Sequence, residues 1–406
     1  MNVVRAYRTE LDPTNVQRTA LLRHAGAARF AYNWGLQRKQ EVWWMNQLPV
    51  ARIRAPTAMD LHRELNQMKA GPLAWMYESS KCAPQEALRD LDRAYKNFFE
   101  GRARFPRFHS RHRGVGSFRL TGSVGAEAGH VSLPRIGTVK LKERGYLPPP
   151  VKVLSATVSE RAGRWYVSLS VQEDRPSRPA PPSGEVVGVD LGINALATVS
   201  DGTVIQNPRA LMARQRKLRH LQREVSRKEK GSHNREYAKS RLSRCHARVA
   251  DLRKDALHKA TTMLARTKPV IVVEDLRPAN MLRNHSLARA LSDASFGEFV
   301  RQLEYKCGWY GSRLVRADPF YPSTKRWSGC GNVRKEMPLS ERVYRCGTCG
   351  REMDRDLNAA RNLARVAASS AETENACGEM ASRVRKDPAP PRGIRNPASS
   401  ALVADV

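Results

Sequence analysis

Acidic side chains are scarce in this sequence: 39 Asp and Glu stand against 71 Lys and Arg in 406 residues, a formal net charge of +32. A chain so unbalanced repels itself unless a polyanion neutralises it, and nucleic acid is the expected partner. Long apolar runs are missing too. No stretch approaches the roughly 18 apolar residues that cross a bilayer, and Met1-Asn2-Val3-Val4-Arg5 lacks the apolar core of a signal peptide. A membrane is set aside, and a cytoplasmic, nucleoid-associated location is expected. Cysteine is sparse and odd in number, seven in all, which argues against a disulfide framework. Cys82, Cys245, Cys307 and Cys377 are scattered and read as small apolar fillers. What the chain does have is an apolar share of 41%, enough for a core in each of two or three domains.

Residues 5–11 alternate as a short strand. Asp12-Pro13-Thr14 then opens a helix, with Thr14 and Gln17 spaced as a capping box. Helical spacing returns at 85–99, where Leu88, Leu91, Ala94, Tyr95 and Phe98 share a face, giving a helical lobe over 12–101. From 101 to 119 basic residues interleave with aromatics: Arg102, Arg104, Phe105, Arg107, Phe108, Arg111, Arg113, Phe118 and Arg119. That mixture suits phosphate contact plus base stacking, although phenylalanines anchoring a charged loop would give the same pattern. Strand signals at 154–159 and 165–171 flank the turn Arg161-Ala162-Gly163-Arg164, so 102–173 reads as a small β-barrel and proline-rich 174–184 as a linker. Residues 209–259 carry 17 Lys/Arg against 5 Asp/Glu, a net of +12, on a helical hairpin broken at Gly231-Ser232-His233-Asn234. Its Leu211, Leu218, Leu221 and Val225 keep a coiled-coil spacing. Beyond 366 the periodicity fades, and 367–406 reads as a disordered tail.

Two runs of valine and isoleucine end in acid: Val186-Val187-Gly188-Val189-Asp190 and Val270-Ile271-Val272-Val273-Glu274. A carboxylate at the end of a buried strand is costly unless it is paired or holds a cation. A third acidic site, Met353-Asp354-Arg355-Asp356, opens a helix. Phosphodiester hydrolysis with two metal ions requires carboxylates that converge from separate elements. Asp190, Glu274 and Asp356 are therefore the expected magnesium ligands of a ribonuclease H type nuclease in an α/β domain spanning 185–366. Asp354 competes with Asp356, since either could instead cap the helix. Asp275 cannot share the site with Glu274, because a strand alternates faces.

Cys330, Cys346 and Cys349 fall within one glycine-bearing stretch, as metal ligands in a reducing compartment do. Cys346-Gly347-Thr348-Cys349-Gly350 is a complete knuckle and Cys330-Gly331 half of another, with Trp327 where the fourth thiol belongs. Zinc then needs a ligand from elsewhere, and Cys307 and Asp318 are nearest in sequence.

Val189-Asp190-Leu191-Gly192-Ile193-Asn194, Val273-Glu274-Asp275-Leu276, Ser295-Phe296-Gly297-Glu298-Phe299 and the run Asp354-Arg355-Asp356-Leu357-Asn358-Ala359-Ala360-Arg361-Asn362 together resemble the TnpB (OrfB) proteins encoded by insertion sequences. Ala28-Arg29-Phe30-Ala31-Tyr32-Asn33-Trp34 and Phe105-Pro106-Arg107-Phe108 extend the likeness over nearly the whole chain. The resemblance implies an α+β multidomain protein related to type V CRISPR nucleases: a RuvC-like domain with a zinc-ribbon insertion at 323–353, a wedge barrel that takes residues 1–11 as its first strand, and a recognition lobe. It also implies a guide RNA from the transposon end, a double-stranded DNA target cut beside a short motif, and Mg2+ or Mn2+ as cofactor. Gln85 matches a motif-reading glutamine, and an amide can pair adenine in a bidentate way; Arg104, Arg107, Phe108 and Arg111 are the other expected nucleic-acid contacts. Relatives carry cysteine at the position of Trp327, so zinc binding is in question here. A nuclease-impaired, RNA-guided DNA-binding repressor is the alternative reading.

Overall fold

The chain is described by a computed structural model over residues 2–48, 52–111, 114–147, 152–174, 179–338 and 340–376. Arg113, Cys377, linker residues 175–178 and the expected tail from 377 onward lie outside the described residues.

Alternating inward and outward side chains form β1 (Asn2–Asp12), and Pro13 separates it from the long helix α1 (Asn15–Met45). The capping box is present: Gln17 N donates to Thr14 Oγ1 at 3.3 Å, while Thr14 N donates to Gln17 Oε1 at 3.0 Å. Helices α2 (Ala58–Met68) and α3 (Cys82–Phe99) pack on α1 through Leu36, Leu61, Leu65, Leu88 and Leu91, all fully buried. Gly35 sets how near they come, because a Cβ there would lie 2.7 Å from Leu88 Cδ2.

The next strands are β2 (Ser117–Thr121), β3 (Gly125–Ala126), β4 (His130–Leu133), β5 (Gly137–Leu141), β6 (Lys152–Arg161) and β7 (Arg164–Asp174). They form a seven-stranded antiparallel sheet in the order β2-β6-β7-β1-β5-β4-β3, so the first strand of the chain is inserted between β7 and β5. Residues 102–116, expected within this unit, contain no strand among those described. Ala162 and Gly163 turn β6 into β7 with φ of 56° and 80°, the doubly positive geometry that fits the twist of a two-residue hairpin.

A second sheet combines β8 (Val187–Leu191), β9 (Ala195–Val199), β10 (Val204–Gln206), β11 (Val270–Glu274) and β12 (Arg313–Ala317) in the order β10-β9-β8-β11-β12. The first three pair antiparallel; β11 runs parallel to both β8 and β12. Between β10 and β11 lie α4 (Ala210–Arg227) and α5 (His233–Thr267), whose facing stripes bury Leu218, Leu221, Cys245 and Val249. After β11 come α6 (Pro278–Met281), α7 (Ala288–Ala294) and α8 (Phe296–Tyr310). Past β12, a small hairpin of β13 (Val343–Arg345) and β14 (Glu352–Asp354) leads into α9 (Arg355–Ala376). Helices α5 and α8 cover one face of the sheet and α9 the other. Helix α9 runs to Ala376, so residues 367–376 of the expected tail are helical instead. Residues 367–376 are rich in alanine and have good helix propensity without the apolar spacing that marks a packed helix.

Candidate active site

Val189 on β8 lies beside Val273 on β11 in the parallel ladder. The following residues, Asp190 and Glu274, therefore leave the sheet at the same end and on the same face. Val187, Val189, Ile271 and Val273 point into the α5/α8 core, which assigns Gly188, Asp190, Val272 and Glu274 to the α9 face. Gly188 measures how close that helix comes: a Cβ there would sit 2.0 Å from Ala360 O and 2.5 Å from Ala364 N. From this crossing, two residues along the strand cover about 6.6 Å, and the four residues back along α9 from Ala360 to Asp356 cover about 6 Å. Asp190 and Asp356 are thereby brought opposite each other.

The electrostatics agree. Loss of water, then repulsion from Asp356 and Glu274, pushes the Asp190 carboxyl up to about 8, with Arg355 opposing the rise and Asp354 adding to it. Glu274 Oε1 accepts a hydrogen bond from Ser323 Oγ at 2.6 Å. Asp356 is approached by Arg355 Nη2 at 3.4 Å and Arg342 Nη1 at 4.0 Å. Asp354 is the helix cap instead, since its Oδ1 accepts from the backbone N of Asp356 and of Leu357, both at 3.0 Å, at the start of α9. Asp275 faces away from the site and pairs with Arg316 at 3.0 Å. Three carboxylates that hold a proton among themselves because burial strips one of them of water and its neighbours repel it fit a divalent cation, which would offset both.

Ser323, Arg342 and Arg355 were not singled out by sequence reasoning, nor were Asn358 and Asn362. The two asparagines carried a signal. Poor helix formers four residues apart on a helix require compensation from tertiary hydrogen bonds, and both are fully buried.

The thiols of Cys330, Cys346 and Cys349 lie within 4.8 Å of one another. Backbone N–H groups of Cys349 and Thr348 lower the Cys346 thiol to about 7. Neither suggested fourth ligand joins them. Cys307 is packed in the α5/α8 core, and Asp318 Oδ1 accepts from Phe320 N at 2.7 Å. Nearness in sequence does not carry into space, because α8 and the turn after β12 hold them elsewhere. The donor set is one short of the four that a structural zinc takes.

Arg104, Arg107, Phe108 and Arg111 are exposed on the segment ahead of β2. Asn33 clamps that segment: its Nδ2 donates to His109 O at 2.9 Å and its Oδ1 accepts from His109 N at 2.7 Å, while Tyr32 stacks on the His109 ring at 3.9 Å. Phe105, although 42% exposed, packs edge-on to Tyr95 and Phe98 at 5.6 and 5.3 Å and so ties the segment to α3. Phe108, 49% exposed, instead lines clefts of about 440 and 660 Å³ together with Arg29. Gln85 is half-buried in the first turn of α3, outside both clefts.

The fold is the mixed α/β architecture of Cas12f1: a chain from a cryo-EM complex of Cas12f1 with sgRNA and target DNA superposes with a TM-score of 0.54 at 10% identity, covering 89% of this chain and 99% of that one. A family model described as "Probable transposase" matches residues 157–285, and one described as "Cas12f1-like, TNB domain" matches 296–363. A third, described as a helix-turn-helix domain, matches 1–47, within which Asn2–Asp12 here form a strand and Asn15–Met45 one uninterrupted helix. A protein from Streptomyces pristinaespiralis named as a putative RNA-guided DNA endonuclease is 39% identical over 380 residues, covering 93% of this chain and 92% of the relative. InsQ of Escherichia coli, named likewise, is 35% identical and covers 94% of this chain and 95% of its own. The chain belongs to the TnpB (OrfB) family. Among the described residues, no helix is long and apolar enough to cross a membrane.

Proposed function

We propose that this chain is a transposon-encoded, RNA-guided endonuclease that cuts double-stranded DNA beside a short motif, with Asp190, Glu274 and Asp356 as ligands of two divalent ions, Mg2+ or Mn2+. One observation carries the chemistry: two parallel strands and the first turn of α9 bring three carboxylates towards one spot, where loss of water and then repulsion from Asp356 and Glu274 lift Asp190 to about 8. The sheet order β10-β9-β8-β11-β12 supports reading 185–366 as RuvC-like. When bound, such ions supply an activated water and stabilise charge on the departing oxygen. The protein's own part is placement. Asp190, Glu274 and Asp356 would hold the ions; Ser323 fixes Glu274, and Arg355 and Arg342 orient Asp356 while the Asp354 cap starts the helix that carries it.

Residues 1–11 and 102–173 form the wedge, 12–101 the recognition lobe, and 323–353 a ribbon inserted in the nuclease domain. The relatives' names support the RNA-guided part. Arg104, Arg107, Phe108 and Arg111 contact nucleic acid backbone and bases, and Gln85 reads the motif.

The test is cleavage of a plasmid library by the purified chain with its co-expressed RNA and Mg2+. Asp190→Ala is expected to retain RNA and target binding and lose cutting. Cutting by Asp190→Ala at the unmodified rate would sink the assignment. Binding without any cutting by the unmodified chain would favour the repressor reading.

A further inference from the structure

The two knuckles of the ribbon have the same backbone but not the same chemistry. In the second, Cys346 N donates to Arg351 O at 2.9 Å and Gly350 N to Cys346 O at 2.9 Å. In the first, Trp327 N donates to Asn332 O at 2.8 Å and Gly331 N to Trp327 O at 3.0 Å. Gly331 and Gly350 close the two turns at φ of 80° and 67°. Trp327 thus occupies the place in the first knuckle that Cys346 has in the second. The knuckle turn survives there although its thiolate is gone.

Something other than a metal–sulfur bond must hold that turn, and the packing supplies it. Trp327 is 2% exposed and stacks on fully buried Tyr344 with ring centroids 5.3 Å apart. Cys346, Met337 and Met353 complete a small core around them. Gly329 admits the indole, since a Cβ there would come within 2.5 Å of Trp327 Nε1. Tyr344 Oη ties the core to the chain by donating to Lys325 O at 2.8 Å. On either side of Trp327 the turn is latched to α9: Ser328 N donates to Asn358 Oδ1 at 2.8 Å, and Asn358 Nδ2 and Asn362 Nδ2 donate to Arg326 O at 2.7 and 2.5 Å. Every one of these links is independent of metal.

We propose that Trp327 replaces the fourth ligand as a packing element, so that the ribbon folds and keeps α9 in place without zinc. The three thiols then form an open-sided site that takes up a soft or borderline cation reversibly. Cys330 and Cys349 are exposed, which leaves the fourth coordination position to water or an added small ligand. Structural zinc sites are normally closed by four protein ligands and unfold on chelation; this ribbon has exchanged that dependence for an aromatic core.

The experiment uses the full chain with its RNA, treated with a strong chelator and then dialysed. Metal content is measured by mass spectrometry, and exchange protection of the amides of Trp327, Gly331, Cys346 and Gly350 by deuterium labelling. The expected result is far less than one zinc per chain, with protection of those amides unchanged. Trp327→Cys should retain one zinc per chain through the same treatment, and Trp327→Ala should lose protection with or without added Zn2+. A wild-type chain that keeps a full zinc, or loses protection on chelation, overturns the proposal, as does Trp327→Cys binding zinc no better than wild type. No readout involves cleavage, so the outcome is separate from the endonuclease reading.

Discussion

At Asp190 the charge balance fixes a pH dependence. Its folded pKa of about 8 lies above the ordinary carboxylate value of 3.8, so between those limits the folded chain holds a proton that the unfolded chain has released. Without metal, that contribution to stability is fully present below pH 3.8 and is lost as pH rises through 8. Metal binding must expel the proton, so Mg2+ affinity should rise with pH up to about 8, by at most about tenfold per unit. Calorimetry in buffers of different ionisation enthalpy checks this, and no proton release at about pH 6.5 would refute it. Asp190→Asn removes the repulsion as well as the ligand, so in chelator at about pH 8 it should melt a few degrees, roughly 2–4 °C, above wild type. A Ser323→Ala chain should fold normally yet cut about 10–100-fold more slowly, because Glu274 loses the group that orients it. The three acids were legible as residues because each ends or opens a strongly patterned segment. Ser323 was not, since 49 positions separate it from Glu274 and no local pattern marks it.

Whole elements were legible where pattern was long and local. The capping box of α1, the β6–β7 hairpin and the α4–α5 pair follow from spacing and turn chemistry that the sequence carries within a few residues. Edge strand β12 was not: Arg313-Leu314-Val315-Arg316-Ala317 has a charge at its first and fourth positions and becomes a strand only because β11 offers a parallel edge. Short strand β5 likewise needs a partner remote in sequence, since it meets β1 at Leu11–Leu141 and Asp12–Lys140. The seating of α9 on β8 is the packing event that completes the site, and Gly188 tests it. Gly188→Ala places a methyl 2.0 Å from a backbone oxygen that has no side chain to move aside. The helix must shift, costing about 1–3 kcal/mol or more, and Asp356 shifts with it. Cleavage should fall far more than RNA binding does; equal losses in both would point to general unfolding instead. The basic segment divides similarly. Phe105→Ala should lower the melting temperature, whereas Phe108→Ala should leave it unchanged and weaken RNA binding by about 1–3 kcal/mol per lost base stack.

The charge of +32 becomes a molecular property through where it is placed. The net of +12 over residues 209–259 lies on helices whose inward stripes are already used by Leu218, Leu221, Cys245 and Val249, so Arg216, Lys217, Arg223 and Arg227 are turned outward. An outward row of one sign on a helical hairpin attached to the five-stranded sheet does nothing for the core and raises self-repulsion, a cost that a bound polyanion offsets. The hairpin is therefore expected to grip phosphates, which makes its contribution sensitive to salt: each phosphate contact to single-stranded RNA adds roughly 0.7 to the slope of log K against log salt concentration. Changing those four residues to Gln should reduce that slope by up to about 3 and leave the melting temperature of the RNA-free chain equal or slightly higher, since like charges have been removed. Filter-binding titrations over a range of KCl concentrations measure it directly. An unchanged slope would mean that the guide runs elsewhere and that the hairpin's charge faces the DNA strands, which the same titration with target DNA on the RNA-loaded chain would then reveal.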